Sequence, residues 1–434
     1  PRTAIWLLLL NPLYHRRLPT TLQYLFNSQN FTMESKTNAT IMVTGATGFL
    51  GKVVIEELLR RRTDHNVQQI VLLIRKKESL DAKARFEKYI ATSPCFMFLP
   101  QNWVEYIQVV EGDLADFHCG LQGSEYDRAC ETITHIIHTA ACIKFDSEVS
   151  DAVSANIESA CNVLALAKDC SKLQQLVITS TAYVTPSREG PIYEELVQLP
   201  CAASKLVSAL KEGTIGKQQA IAYTGHPNIY SLSKCLAEHL VCETKGSVPV
   251  TIVRPSIICA ALRHPAPGWI DSKAAFAGLV LGFGSGVLRV VNGRPNTKLD
   301  IVPVDVVARR LIHEAFLEDS RGVGSPNAHI VFAVATRERS LTLYQACRML
   351  ERYFKGTFRY IGPQGHVLDL FQFFHHYLPL RLYATLSRIR GNKTKERTAK
   401  KAWRIVSGMN TVFHPYTNYT HDFRPKEPME SFDP

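Results

Sequence analysis

Residues 41–52, IMVTGATGFLGK, constrain this chain more than any other stretch. A short apolar run leads into Gly45, Gly48 and Gly51, and the helix-forming VVIEELLRRR follows without a linker. A strand, a glycine turn and a helix in that order open a βαβ unit. The first glycine permits a tight turn, the second lets the backbone approach a pyrophosphate, and the third lets helix and strand pack closely. The helix N-terminus adds free N–H groups and a positive dipole end that suit phosphate. The expectation is a dinucleotide held at this turn.

The rest of the chain continues the pattern. Strand candidates are QIVLLIR (69–75), IQVVEGD (107–113), HIIHTAA (135–141), QLVITSTAYV (175–184) and VTIVRPS (250–256). Amphipathic stretches such as 153–169 and 230–243 separate them. Apolar strands alternating with helices describe a parallel sheet covered on both faces. Right-handed crossovers make it an α/β, doubly wound Rossmann-type sheet. With 434 residues, 46% apolar and 21% charged, the chain can bury a large core and carry a second domain.

After residue 256 the rhythm changes. RHPAPGWIDS is turn-rich, and AGLVLGFGSGVLRVV is apolar but broken by glycines and Arg289. We read 257–335 as a substrate-pocket region rather than a membrane span. From 336 to 434 the sequence reads as a smaller helical C-terminal domain, so the dinucleotide-binding domain is expected over 33–335. AIWLLLL near the N-terminus is too short to cross a bilayer. Met33 is a natural start, and residues 1–32 are expected to be a non-functional extension.

Eleven cysteines, an odd number without CxxC or zinc-like spacing, indicate reduced thiols facing the cytosol and no metal site. The net charge of +11 favours anionic partners. No aromatic-and-basic recognition element points to nucleic acid.

The second strand ends in Arg75, Lys76 and Lys77, where an NAD-binding turn would place an acid. A basic end suits the 2′-phosphate of NADP. Asp113 ends the third strand, where a carboxylate meets an adenine. In NIYSLSKCLAEHL, Tyr230 and Lys234 stand at i, i+4 and share one helix face. A nearby ammonium favours the phenolate, so Tyr230 is expected to have a lowered pKa and to act as the acid–base group. Thr181 or Ser180, at the end of another strand, offers a hydroxyl to a reacting carbonyl oxygen, with Thr181 favoured. His138 reads as a buried structural residue.

These pieces resemble an extended short-chain dehydrogenase/reductase. HTAACIKFD (138–146), TSTAYV (179–184), PNIYSLSKCLAEHLV (227–241), VPVTIVRPSII (248–258), PAPGWID (265–271) and DIVPVDVV (300–307) resemble, more narrowly, the fatty acyl-CoA reductase family. The likeness covers about residues 40–310. It departs at Lys76, where the family usually carries proline, and at ESFDP, beyond which the family's chains usually continue. The resemblance implies cofactor contacts from Thr44, Gly45, Thr47, Gly48, Phe49, Leu50, Gly51, Arg75, Lys76, Asp113, Leu114, Ala140 and Pro255, together with Tyr230 and Lys234.

It also implies NADPH as cofactor and a long-chain acyl-CoA as substrate. The thioester would be reduced through a hemithioacetal to an aldehyde and then to a primary alcohol. Thr181 and Tyr230 would hold the carbonyl oxygen, and Lys234 would reach the nicotinamide ribose. Two other readings stay open: an aldehyde-forming thioester reductase acting on carrier-bound chains, and a silent NADP-binding sensor or scaffold. The apolar VLDLFQFFHHYLPLRLYATL precedes eight basic residues between Arg388 and Arg404. Residues 367–404 are therefore expected either to pack as a helix with a solvated basic end or to touch an anionic membrane. A lipid substrate favours the second, on the cytosolic side of a peroxisomal or endoplasmic-reticulum membrane.

Overall fold

The computed structural model describes residues 38–317, 328–358, 360–362 and 365–426. The expected extension at 1–32 and the ESFDP end lie outside them. Among the described residues the central sheet has seven strands. They are β1 (Ala39–Thr44), β2 (Val67–Ile74), β3 (Ile107–Glu111), β4 (His135–His138), β5 (Gln175–Thr179), β6 (Val250–Pro255) and β7 (His329–Ala333). Their order is β3-β2-β1-β4-β5-β6-β7. Every pairing is parallel, with Thr44 opposite both Leu73 and His138. The first six match the strands read from the sequence. β7, HIVFA, extends the sheet from within the region read as substrate pocket.

The order reverses between β1 and β4, which opens a crevice at the strand C-termini. Helices α1 (Phe49–Arg60) and α5 (Val304–Ala315) cover one face. Helices α2 (Ser159–Asp169) and α3 (Ile229–Thr244) cover the other. A π-helical turn, Val153–Glu158, leads into α2. Strands buried on both faces explain the near-continuous apolar runs of the sequence.

A third apolar cluster joins α4 (Ala275–Gly284) and α6 (Leu343–Phe354) to Leu288, Val291, Leu299 and Ile301. The glycine-studded segment thus ends as a ten-residue helix. Among the described residues no helix is long and apolar enough to cross a membrane. Three short strand pairs stitch the C-terminal region to the rest: Lys298–Leu299 with Leu341–Thr342, Val290–Asn292 with Tyr360–Gly362, and Pro191–Ile192 with Asp422–Phe423.

Helix α7 (His366–Gln372), the π turn Phe373–Tyr377 and helix α8 (Leu378–Ile389) run end to end. His376 pins them down: its buried Nε2 accepts from the backbone N–H of Arg289 (2.7 Å) and Val290 (3.1 Å). Val367, Leu370, Phe374, Leu382, Leu386 and Ile389 are each more than half exposed. Helix α9 (Lys393–Val412), which opens with the basic run, follows, and then the short α10 (His414–Asn418).

Candidate active site

The glycine turn is built as its spacing requires. Gly45 has φ +73°, and a Cβ there would lie 2.6 Å from the Ala140 nitrogen. A Cβ on Gly51 would run into the Gly45 carbonyl. The turn therefore holds α1 tight against the ends of β1 and β4. Beside it lies a cleft of about 260 Å³, lined by Gly45, Thr47, Gly48, Arg75, Asp113, Leu114 and Ala140 among others. Thr44 is buried behind the turn, where its hydroxyl shares a 2.9 Å hydrogen bond with His138 Nδ1.

The remaining expected cofactor residues do not line this cleft. Phe49 stacks on Trp269 of the PAPGWID string, with ring centroids 5.5 Å apart. Lys52 pairs with Asp271 of the same string, so the string is fastened to α1. Leu50 packs into the core, Lys76 is exposed, and Pro255 ends β6 opposite Ala333.

Arg85 was not read from the sequence. It comes from the short helix Ala82–Phe86. Its guanidinium donates to the Arg75 carbonyl at 2.5 Å and to Thr47 Oγ1 at 3.3 Å. Arg75 itself lies 3.8 Å from Asp113. Two guanidiniums, a glycine cradle and an acid at the far strand suit a dinucleotide.

Thr181, Tyr230 and Lys234 come together beyond β5. Tyr230 stands in the first turn of α3, which Asn228 caps by accepting from Ser231 N at 2.9 Å. Lys234 Nζ donates to the Thr179 carbonyl at 2.9 Å. Thr181 Oγ1 accepts from Tyr183 N at 3.3 Å, and its hydroxyl lies in hydrogen-bonding reach of the Tyr230 hydroxyl. Ser180 has a buried hydroxyl without a hydrogen-bond partner among the described residues. Cys142, which follows the cleft-lining Thr139, Ala140 and Ala141, lies near Tyr230.

The electrostatics correct one expectation. Burial and neighbouring Tyr416 push the Tyr230 phenol above its ordinary value, and the Thr181 hydrogen bond pulls it down. Lys234 is directed at a backbone carbonyl instead of the phenol. Burial lowers its own pKa to about 8, against the pull of Glu238. Tyr230 is therefore held as a neutral phenol beside the Thr181 hydroxyl, and a neutral phenol can donate its proton. Such a group stabilises charge developing on a carbonyl oxygen. His138 is fully buried, and burial followed by the Lys234 charge lowers its pKa to about 3. That fits the structural role expected of it.

Asn156, also unread, sits in the π turn before α2. Its amide accepts from Cys142 N (2.8 Å) and donates to Cys142 O (3.1 Å) and Ser233 Oγ (2.9 Å). It ties the loop after β4 to α3. Nothing in the local sequence singled it out, since Ser154, Glu158, Ser159 and Asn162 stand in the same stretch.

Comparison with known proteins bears on the fold and the family. The family model described as male sterility protein, an NAD-binding domain, matches residues 43–311. "Fatty acyl-CoA reductase wat" of Drosophila melanogaster is 35% identical over 282 residues, which cover 64% of this chain and 54% of that protein. The chain thus spans about half the length of that relative. "Probable fatty acyl-CoA reductase 5" of Arabidopsis thaliana is 28% identical, covering 87% of this chain and 86% of its own. Among solved structures, the terminal R domain from the myxalamid PKS-NRPS pathway superposes with a TM-score of 0.62 at 20% identity, over 91% of this chain and 84% of that one. The glycine turn, the parallel sheet and these matches together show that the chain belongs to the male sterility protein family of fatty acyl-CoA reductases.

Proposed function

We propose that this chain reduces a long-chain acyl-CoA with NADPH and carries the product on to a primary alcohol. The observation that carries the reading is the pairing of the Thr181 and Tyr230 hydroxyls. It stands beside a dinucleotide cleft in a member of this family. Arg75 and Arg85 at one end of that cleft support NADPH, because a second guanidinium reinforces the basic strand end.

In this reading Tyr230 donates its O–H to the thioester carbonyl oxygen. Thr181 supports the oxygen of the phenol as its proton moves. Lys234, fixed on the Thr179 carbonyl, would hold the nicotinamide ribose. A bound nicotinamide dinucleotide supplies the hydride. The tetrahedral hemithioacetal then releases CoA thiol and leaves an aldehyde. Tyr230 serves the aldehyde oxygen in the same way, and the alcohol follows.

The same proposal includes a peripheral contact with the cytosolic face of an anionic intracellular membrane through about residues 367–404. What supports it is the exposed apolar row on α7 and α8 with the basic start of α9 next to it.

The test mixes the 434-residue chain with hexadecanoyl-CoA and NADPH, follows absorbance and identifies the extracted products. Hexadecanol, with two NADPH consumed per alcohol, supports the proposal. Hexadecanal alone favours the aldehyde-forming reading. NADPH binding without turnover, with carrier-bound chains as well, contradicts both.

A further inference from the structure

Three of the strings that carry the family likeness meet on one residue from the far end of the chain. Phe145 of HTAACIKFD stacks on Tyr416, with centroids 5.6 Å apart. Tyr183 of TSTAYV meets the same ring edge-on at 4.7 Å. Asn228 of PNIYSLSK donates from Nδ2 to the Tyr416 hydroxyl at 3.1 Å. Tyr416 belongs to α10 and is buried. It is held firmly: Thr417 Oγ1 donates to the Asn292 carbonyl at 2.6 Å, and Arg294 N donates to the Thr417 carbonyl at 2.9 Å.

We propose that Tyr416 is a positioning residue of the reducing centre, so that the C-terminal region completes the site instead of merely covering it. The inference rests on the functional reading above and acts by two routes. The first runs through Asn228. One end of its amide caps α3 and the other is held by Tyr416. Tyr230 stands in the turn so capped, and removing the acceptor frees the amide that sets it. The second runs through Phe145, whose ring lies between Tyr416 and Tyr230, 5.7 Å from the latter. Loss of the Tyr416 ring opens space behind Phe145, and the phenol can drift. A displacement of about 1 Å at a reacting group costs on the order of 100-fold in rate.

Two variants separate the routes. Tyr416→Phe removes the hydroxyl alone, and Tyr416→Ala removes the ring as well. In the full chain with hexadecanoyl-CoA, kcat is expected to fall about fivefold in the first and on the order of 100-fold in the second. KM for acyl-CoA should change less than kcat, and NADPH affinity should stay within about twofold, because the lining of the cleft is untouched. Asn228→Ser keeps a capping hydroxyl but breaks the link to Tyr416. In that background Tyr416→Phe should lower kcat by less than it does alone, since the hydroxyl acts in large part through Asn228.

The proposal is overturned if Tyr416→Ala keeps kcat within about twofold of the unaltered chain, or if the Asn228→Ser and Tyr416→Phe effects multiply independently. If Tyr416→Ala does not fold, Tyr416→Phe and the double variant still decide. If the unaltered chain reduces no acyl-CoA, the functional reading fails separately. Positioning is then read from 3-fluorotyrosine placed at residue 230. Its ¹⁹F chemical shift at neutral pH must move in both Asn228→Ser and Tyr416→Phe, and a shift that stays fixed in Asn228→Ser rejects the inference.

Discussion

Arg254 on β6 and Glu238 on α3 form a two-pronged buried pair one helical turn beyond Lys234. Nε meets Oε1 at 2.9 Å and Nη2 meets Oε2 at 2.6 Å. The pair locks α3 to the sheet, and the Glu238 charge raises the pKa of Lys234. Glu238→Gln leaves a buried guanidinium unbalanced, which costs about 3–5 kcal/mol. It also lets the Lys234 pKa fall below its present value of about 8. We expect a lower melting temperature and an alkaline limb of the pH–rate profile displaced to lower pH. Thermal melts and kcat against pH check both.

Arg85 reaches the cleft from a helix outside the strand-end signature. Its hydrogen bonds to Arg75 and Thr47 aim it along the cleft wall. If it shares a 2′-phosphate with Arg75, Arg85→Ala loses a charge-assisted contact of about 1.5–3 kcal/mol. NADPH affinity should then drop roughly 10- to 100-fold, with NADH affinity little changed. Fluorescence titration with the two nucleotides measures the ratio, and an equal loss for both would remove Arg85 from the 2′-phosphate.

His376 gives the C-terminal helices a pH dependence. Burial lowers its pKa from 6.5 to about 4, and its Nε2 must stay unprotonated to accept two backbone N–H groups. The unfolded chain takes up the proton first as pH falls. The contribution is therefore complete above about pH 6.5 and is lost toward pH 4, by about 2 kcal/mol at pH 5. His135, His226 and His421 carry lowered values of the same sign. His376→Gln should reduce the loss of stability between pH 7 and pH 5 by its share, measured by denaturant unfolding. Hydrogen exchange across 366–389 should rise early in the acid range.

The exposed row on α7 and α8 predicts binding to vesicles containing phosphatidylserine. Leu386 and Ile389 are 51% and 76% exposed at its C-terminal end, next to the basic start of α9. Burying such a side chain is worth about 1.5–3 kcal/mol. With that energy scaled by their present exposure, the double variant Leu386→Ser/Ile389→Ser should bind vesicles roughly 30- to 500-fold more weakly. High salt should weaken the unaltered chain as well. Unchanged flotation in the variant would remove this face from membrane contact.

The glycine turn was readable because its geometry dictates it: a positive φ at Gly45 and the close approach of Gly51 to the Gly45 carbonyl permit only glycine. The first six strands were readable because apolar runs alternated with amphipathic helices. β7 was not, since HIVFA is short and stands outside that rhythm, where periodicity cannot separate strand from helix. The pairing of Tyr230 with Lys234 followed from helix spacing. The direction of the ammonium did not, because it depends on the Thr179 carbonyl of another strand. Arg85 and Tyr416 left no local signal. They reach the site only through tertiary packing that joins distant segments.

The most direct test of the central claim follows the hydrogen itself. NADPH deuterated at both C4 positions of the nicotinamide is supplied with hexadecanoyl-CoA to the full chain and to Tyr230→Phe. The account predicts hexadecanol bearing two deuterons at C1 from the unaltered chain, and almost none from the variant. Unlabelled alcohol, or equal labelled product from Tyr230→Phe, would contradict it.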